Sequence, residues 1–302
     1  MKKFLPFLLI LAACSSNPTS KRNVSSDTEE LSWVDELDFT PTKEEAYRGS
    51  SDEFNTSGKD EKINSLAKES VALMSPARLD TLLKDNKDEL MSINLNCYLS
   101  NFDKAFEIAD RVYEKYKSNT SYWNQVGTCY YLNGDASKAI LFYNKSHDLD
   151  KKYVPALNNL GVVYEKQGRF QKALAAYKMA SDTNQFALTP TYNLARLYLK
   201  FGTVGKAYPI FNALYKKSGE DVDLAQALAT ANLVKGEYQQ AIDIYSRIDK
   251  KEVSAPEISL NYALALKFAG KKDEALKVLN QMANPLGEIV EYAKKVENFV
   301  RN

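Results

Sequence analysis

His147 is the single histidine in 302 residues, and there are three cysteines, Cys14, Cys97 and Cys129. Imidazoles and thiolates are the usual transition-metal ligands and nucleophile partners. With this supply a four-Cys or His-rich metal site is excluded, and any Ser-His-Asp or Cys-His apparatus would have to run through His147. That histidine lies four residues after Tyr143 in an amphipathic stretch, with no positioned partner, and reads as structural. Asp148 and Asp150 read as a solvated helix end, not as an acid–base pair. Neither GxGxxG nor GxxxxGK followed by Ser or Thr occurs. The chain is expected to be no enzyme, with no cofactor and no metal. A net charge of +1 gives no reason to expect nucleic acid as a partner.

Cys14 offers a different chemistry. Met1-Lys2-Lys3 is a positive start, Phe4 to Leu11 is an apolar run, and Leu11-Ala12-Ala13-Cys14 closes it. The run is too short to span a bilayer, which takes about 20 apolar residues. Leu-Ala-Ala-Cys resembles the bacterial lipobox, which implies that residues 1–13 are a signal peptide and that Cys14 is lipidated. Acyl and palmitate chains together anchor durably where a single chain binds only marginally. Ser15 after the cysteine, by resemblance to enterobacterial lipoproteins, implies the periplasmic face of the outer membrane.

Residues 15–60 carry 11 acidic and 5 basic side chains, a net of −6. Such a stretch is expected to be a disordered tether, since it buries too little surface to offset its ordering entropy. One apolar patch interrupts it: Leu31, Trp33, Val34, Leu37 and Phe39. It reads either as a linear docking motif, as an incidental apolar island, or as a short helix on the domain edge. Residues 86–302 carry 29 basic and 24 acidic side chains, a net of +5, so the tether is also expected to be able to lie in its own chain's groove.

The remaining recognition chemistry is a set of carboxamides, and a repeat must position them. Ala105, Ala139, Ala173, Ala207, Ala241 and Ala275 are each 34 residues apart. So are Gly134, Gly168, Gly202, Gly236 and Gly270, with Ser100 in the first slot. Tyr130, Tyr164 and Tyr198 keep the same period, as do Tyr143, Tyr177, Phe211 and Tyr245. A 34-residue period in three residue classes is a helix–turn–helix repeat. The glycine reads as a left-handed helix end, the alanine as the close crossing of two helices, and the aromatic residues as filling between neighbouring hairpins.

Trp123, Val126, Gly127, Tyr130, Gly134, Ala139, Tyr143 and Ser146, then Leu157, Leu160, Gly161, Tyr164, Gly168, Ala173, Tyr177 and Ala180, resemble the tetratricopeptide repeat. The resemblance implies an all-α fold: a right-handed superhelix of about six repeats between capping helices. The expected divisions are 61–85 for N-terminal caps, 86–289 for the repeats and 290–302 for a C-terminal cap. The first repeat is degenerate. By the same resemblance the first helices line a groove whose slots hold Asn94, Asn124, Gln125, Asn158, Asn159, Asn193, Gln226 and Asn261. Such carboxamides suit the backbone of an extended peptide, although asparagine at this slot also serves inter-repeat bonds. Lys166, Arg196 and Lys200 add positive charge, and Tyr131, Leu132, Tyr192, Leu199, Leu233 and Phe268 add apolar anchor points. Cys97 and Cys129 fall on neighbouring first helices, one slot pointing to the groove and the other to the interface, which leaves a disulfide open.

Lipobox and repeats together resemble the type IV pilus pilotins, lipoproteins that help secretin subunits assemble in the outer membrane. The implied partner is a protein or extended peptide segment of an envelope complex. Two other expectations stand beside it: an adaptor for periplasmic proteases, cell-wall hydrolases or a gliding or secretion machine, and a regulatory subunit of an envelope enzyme.

Overall fold

The computed structural model describes residues 75–302 except 185, 186, 220 and 288. Cys14 and the patch Leu31, Trp33, Val34 and Leu37 lie outside the described residues, as do Ile63, Leu66, Ala67 and Val71 of the expected N-terminal caps. The described residues form fifteen helices and no strand. They divide into two compact units that meet between Pro190 and Thr191.

The first unit holds α1 (Pro76–Asp85), α2 (Glu89–Tyr98), α3 (Phe102–Tyr116), α4 (Thr120–Leu132), α5 (Ala136–Leu149), α6 (Val154–Lys166) and α7 (Phe170–Thr183). After α1 they pair as antiparallel hairpins, α2 with α3, α4 with α5 and α6 with α7. Short polar side chains open several of them. Ser75, Asp88, Asn119 and Asp135 each accept the amide of the residue three positions on, which satisfies a donor the helix cannot. Leu79 of α1 packs with Leu95 of α2, so this helix covers the first hairpin.

The second unit holds most of α8 (Leu188–Lys200), then α9 (Val204–Lys217), α10 (Val222–Lys235), α11 (Tyr238–Tyr245), the single turn α12 (Lys250–Val253), α13 (Pro256–Phe268), α14 (Lys272–Asn280) and α15 (Ile289–Arg301). The cap α15 lays Ile289, Tyr292, Ala293, Val296 and Val300 on α13 and α14 and keeps charged residues on its far side.

The repeat positions do what their types dictate. All six alanines have no exposed surface. All six turns close as Schellman motifs: the residue after the turn donates to the carbonyl five positions back, as in Asp135 to Tyr130 and Lys271 to Leu266. The turn residue itself takes φ from 72° to 87° at the five glycines, and Ser100 does the same at 62°. The degenerate repeat therefore keeps the left-handed turn without the glycine that makes it cheap.

The aromatic residues deviate from the simple expectation. Tyr143 does join Leu160 and Val163 of the next hairpin, but its ring also lies against Gly127 of its own. Trp123, Phe142, Tyr130 and Phe106 form a continuous column across α3, α4 and α5, with ring centroids 5.6, 5.2 and 4.5 Å apart. Cys97 and Cys129 are bonded, with Cα atoms 5.1 Å apart. Both are buried between α2 and α4, so the expectation that their slots diverge is corrected.

Candidate functional site

In the first unit α2, α4 and α6 are the first helices of successive hairpins, and α4 contacts both its neighbours. Asn124 and Gln125 stand one turn into α4, and Asn158 and Asn159 one turn into α6. The structure joins three of the four. Asn159 Nδ2 donates to Asn124 Oδ1 at 3.0 Å across the two repeats, and Asn158 Nδ2 donates to Asn159 Oδ1 at 3.5 Å. The carboxamides thus form a directional chain linking α6 to α4. Asn159 is buried, while Asn124 and Asn158 remain partly exposed.

Neighbouring hydroxyls fix this face. Thr128 Oγ1 donates to the Asn124 carbonyl and accepts from the Tyr143 hydroxyl at 3.2 Å. Ser121 Oγ accepts from Gln125 Nε2 at 3.5 Å. Neither hydroxyl figured among the sequence candidates, although Thr128 lies one helical turn beyond Asn124, where such a back-bond forms. Two further carboxamide oxygens, Asn94 Oδ1 on α2 and Gln125 Oε1 on α4, are buried with no hydrogen-bond partner. Both atoms are shut off from solvent, so they are orphaned acceptors within the array and not groups presented at its surface.

At the C-terminal end of the same helices, Lys166 places its ammonium 4.9 Å from the centre of the Tyr131 ring. The exposed cation is held over a half-buried ring by a cation–π contact. The face can therefore offer amide donors and acceptors, one fixed positive charge and an aromatic surface. Among the described residues there is no cluster of three or more His, Cys, Asp or Glu that could hold a metal.

The other sequence candidates belong to the second unit. Lys200 is exposed at the end of α8. Asn193 and Arg196 are nearly buried, at 7% and 8% exposure. Tyr192 lies 5.9 Å from Phe211 with 4% exposure, and burial pushes its hydroxyl well above the usual tyrosine range. It is a core residue and presents no anchor surface. Asn261 has no exposure at all. Its Nδ2 donates to Thr230 Oγ1 at 3.4 Å and its Oδ1 accepts from the Tyr292 hydroxyl at 3.0 Å. The capping helix α15 consumes this carboxamide, so it leaves the set of partner-facing residues. Leu199 and Leu233 are buried as well, whereas Leu132 and Phe268 are exposed.

Comparison with known proteins follows the same lines. The tetratricopeptide-repeat family matches residues 154–185 and, in a second form, 192–256. No curated protein matches. Among solved structures, a chain of the APC/C hetero-tetramer Cut9–Hcn1 is 20% identical, with a TM-score of 0.52. The match covers 68% of this chain, which spans 42% of the other. YrrB, a TPR protein with an unusual peptide-binding site, is 16% identical with a TM-score of 0.52, over 62% of this chain and 97% of that one. Pseudomonas aeruginosa pilF is 16% identical with a TM-score of 0.57, over 74% of this chain and 98% of that one. At these identities the likeness is one of fold. The two matched stretches, 154–185 and 192–256, are where the helix pairs are recognised as tetratricopeptide-like.

Proposed function

We propose that this chain is a lipid-anchored scaffold on the periplasmic face of the outer membrane, and that it binds an extended segment of an envelope protein on the face formed by α2, α4 and α6. The observation that carries the reading is the Asn158–Asn159–Asn124 chain, whose end members Asn124 and Asn158 remain partly exposed. An extended peptide presents backbone N–H and C=O groups in alternation, and carboxamides answer both. Lys166 over Tyr131 adds a place for a carboxylate next to an apolar side chain. The anchor is Cys14, in the lipobox-like Leu11-Ala12-Ala13-Cys14. The buried Cys97–Cys129 bond supports residence in an oxidising compartment, since cytosolic thiols are kept reduced.

The work we assign to the scaffold is assembly of an outer-membrane machine, in the manner of a pilotin acting on a type IV pilus secretin. The likeness of fold to pilF and the lipobox support that choice. Deletion of the gene in its native cells tests it, with secretin multimers followed on detergent-containing gels. Loss of the multimers, restored by the native chain but not by Asn124→Ala/Asn158→Ala expressed at the same level, is expected. Multimers at wild-type level in the deletion strain would refute the pilotin role. Co-purification of a hydrolase or protease in that case would move the scaffold to the adaptor class.

A further inference from the structure

Two hairpin tips of the first unit differ in how their charge is settled. At the tip between α4 and α5 it is settled within the turn. Asp135 accepts the Lys138 amide and stands 3.4 Å from the Lys138 ammonium, which lies 4.9 Å from the Tyr130 ring. The tip between α6 and α7 carries Lys166, Arg169 and Lys172, and the first turn of α7 holds no acidic residue. Lys166 Nζ lies 4.9 Å from the Tyr131 ring. Arg169 Cζ and Lys172 Nζ share a single ring, Tyr164, at 4.8 and 5.9 Å. Three backbone bonds close the turn that carries them, Gln167 to Val163, Gly168 to Glu165 and Arg169 to Tyr164, at 3.1, 2.9 and 2.8 Å.

The rings hold these cations in place but do not neutralise them. Two like charges gathered on one ring also repel each other, so the arrangement calls for a counter-charge. The described residues do not supply it. Among them none of the three cations takes part in an ion pair. Arg169 Nη1 donates to the uncharged Gln167 Oε1 at 3.2 Å, and the one carboxylate of the turn, Glu165, accepts the Tyr177 hydroxyl at 3.1 Å. All three cations are exposed. Lys166 stands about two turns beyond Asn158 and Asn159 on the same helix. Arg169 follows three peptide units later, at most about 11 Å away. The cations thus continue the carboxamide face round the hairpin tip.

We propose that this tip is a receptor for carboxylates, and that the partner segment held on the carboxamide face carries a run of acidic residues laid over Lys166 and then over Arg169 and Lys172. For the course of the bound chain the inference rests on the carboxamide reading. Ammonium and guanidinium groups take carboxylates through charge-assisted hydrogen bonds, and the Gln167 bond leaves most of the Arg169 fork open. Because the rings already restrain the cationic side chains, less freedom is lost when the acid arrives. The two surfaces divide the work. Carboxamides answer the backbone, which every sequence shares, whereas the cations select for composition. The acidic run belongs at the α6 end of the segment, since the charges of the α4–α5 tip already answer each other.

Nuclear magnetic resonance titration of the full chain with two synthetic peptides, both capped at their ends, tests it. One is Ser-Ala-Ser-Ala-Asp-Glu-Asp-Glu and the other its uncharged isostere Ser-Ala-Ser-Ala-Asn-Gln-Asn-Gln. The acidic peptide should bind about ten-fold tighter at low salt, an advantage that added salt screens away. It should move the amide signals of residues 166–172 where the isostere does not. Lys166→Gln/Arg169→Gln/Lys172→Gln should cut the advantage to about two-fold or less and leave the isostere unaffected. Arg169→Glu/Lys172→Glu should turn the preference towards Ser-Ala-Ser-Ala-Lys-Lys-Lys-Lys. Lys145→Gln/Lys152→Gln, at exposed positions elsewhere in the unit, should change nothing. Asn124→Ala should weaken both peptides alike; if it weakens neither, the carboxamide reading falls while the acid preference of the tip stands. Equal affinity for the two peptides, or residues 166–172 that do not respond to the acidic one, overturns the proposal. So does an acidic advantage that Lys145→Gln/Lys152→Gln removes as readily as the tip variant, or a tip that responds to phosphatidylglycerol vesicles and not to the acidic peptide.

Discussion

The ring of Tyr177 occupies the space that a side chain on Gly161 would need: a Cβ at Gly161 would stand 2.5 Å from both Cδ1 and Cε1 of that ring. Gly127 and Tyr143 repeat the arrangement at 2.8 Å. The other hairpins trade volume across the same pair of positions. Ala229 faces a core that contains Tyr245, and Ala263 one that contains Leu279. In the first hairpin the order reverses, with Ile93 on the first helix and Ala109 on the second. One large and one small residue set the spacing of each hairpin.

Gly161→Ala should therefore destabilise the protein, although alanine is the better helix former by about 1 kcal/mol. Overpacking costs about 1–3 kcal/mol, so a net loss of about 1 kcal/mol is expected in urea unfolding. Adding Tyr177→Leu should recover much of that loss, because it recreates the alanine–leucine pair of the sixth repeat. A Gly161→Ala variant more stable than the native chain would show that the ring can move aside at no cost.

Ser100 gives the opposite expectation. Its φ of 62° lies where L-residues with a Cβ are strained by about 1–2 kcal/mol. Part of that is returned in Ser100→Gly by the greater freedom of glycine in the unfolded chain. A gain of about 0.5 kcal/mol is expected. Gly134→Ala, whose Cβ would meet nothing within 4 Å, should lose about 1 kcal/mol through backbone strain alone.

These positions also show what the sequence discloses and what it conceals. The 34-residue period locates every turn, including the one at Ser100, because spacing survives when residue identity does not. Direction across the array is harder to read. Cys97 and Cys129 occupy different slots of the repeat, yet α2 and α4 bring them within 5.1 Å. A slot assigned on an ideal repeat omits the offset between a degenerate hairpin and its neighbour. Asn261 fails for another reason: its slot is right, but Tyr292 from α15 reaches its carboxamide, and a cap lies outside the repeat rule. Asn124, Asn158 and Asn159 share the face that the slot rule assigns them, and they bond to one another before any partner arrives.

The Cys97–Cys129 bond closes a loop of 32 residues. Loops of that size restrict the unfolded chain by about 3–4 kcal/mol on the entropic model. Cys97→Ala/Cys129→Ala should lose stability on that scale. Hydrogen exchange should quicken most in α1, α2 and α3, which the bond fastens to α4. Uniform loss of protection across both units would mean that the bond does not act locally.

Burial drives the alkaline limit of the fold. The Tyr122 hydroxyl donates to the Ala109 carbonyl at 3.0 Å, and burial followed by the charge of Asp110 pushes its pKa up to about 12 from 10.0. Burial also raises Tyr192, Tyr245 and Tyr292. A group whose folded pKa lies above its unfolded value contributes fully below the unfolded value and loses that contribution as pH rises through the folded one. The Tyr122 contribution should be constant up to pH 10 and be lost between pH 10 and about 12. Tyr122→Phe should cost about 1 kcal/mol at neutral pH through the lost hydrogen bond, and should make the alkaline fall shallower. Circular dichroism and tyrosinate absorbance followed together would register a single cooperative transition.

Photo-crosslinking in native cells shows whether the carboxamide face of the first unit holds a partner. Benzoylphenylalanine placed at Asn158 or Lys166 on this face is compared with the same probe at Leu141, which is 62% exposed on α5. Adducts with one envelope protein from Asn158 and Lys166, lost on Asn124→Ala and absent from Leu141, are the predicted result. Adducts from Leu141 alone, or adducts from Asn158 and Lys166 that Asn124→Ala leaves intact, would contradict it.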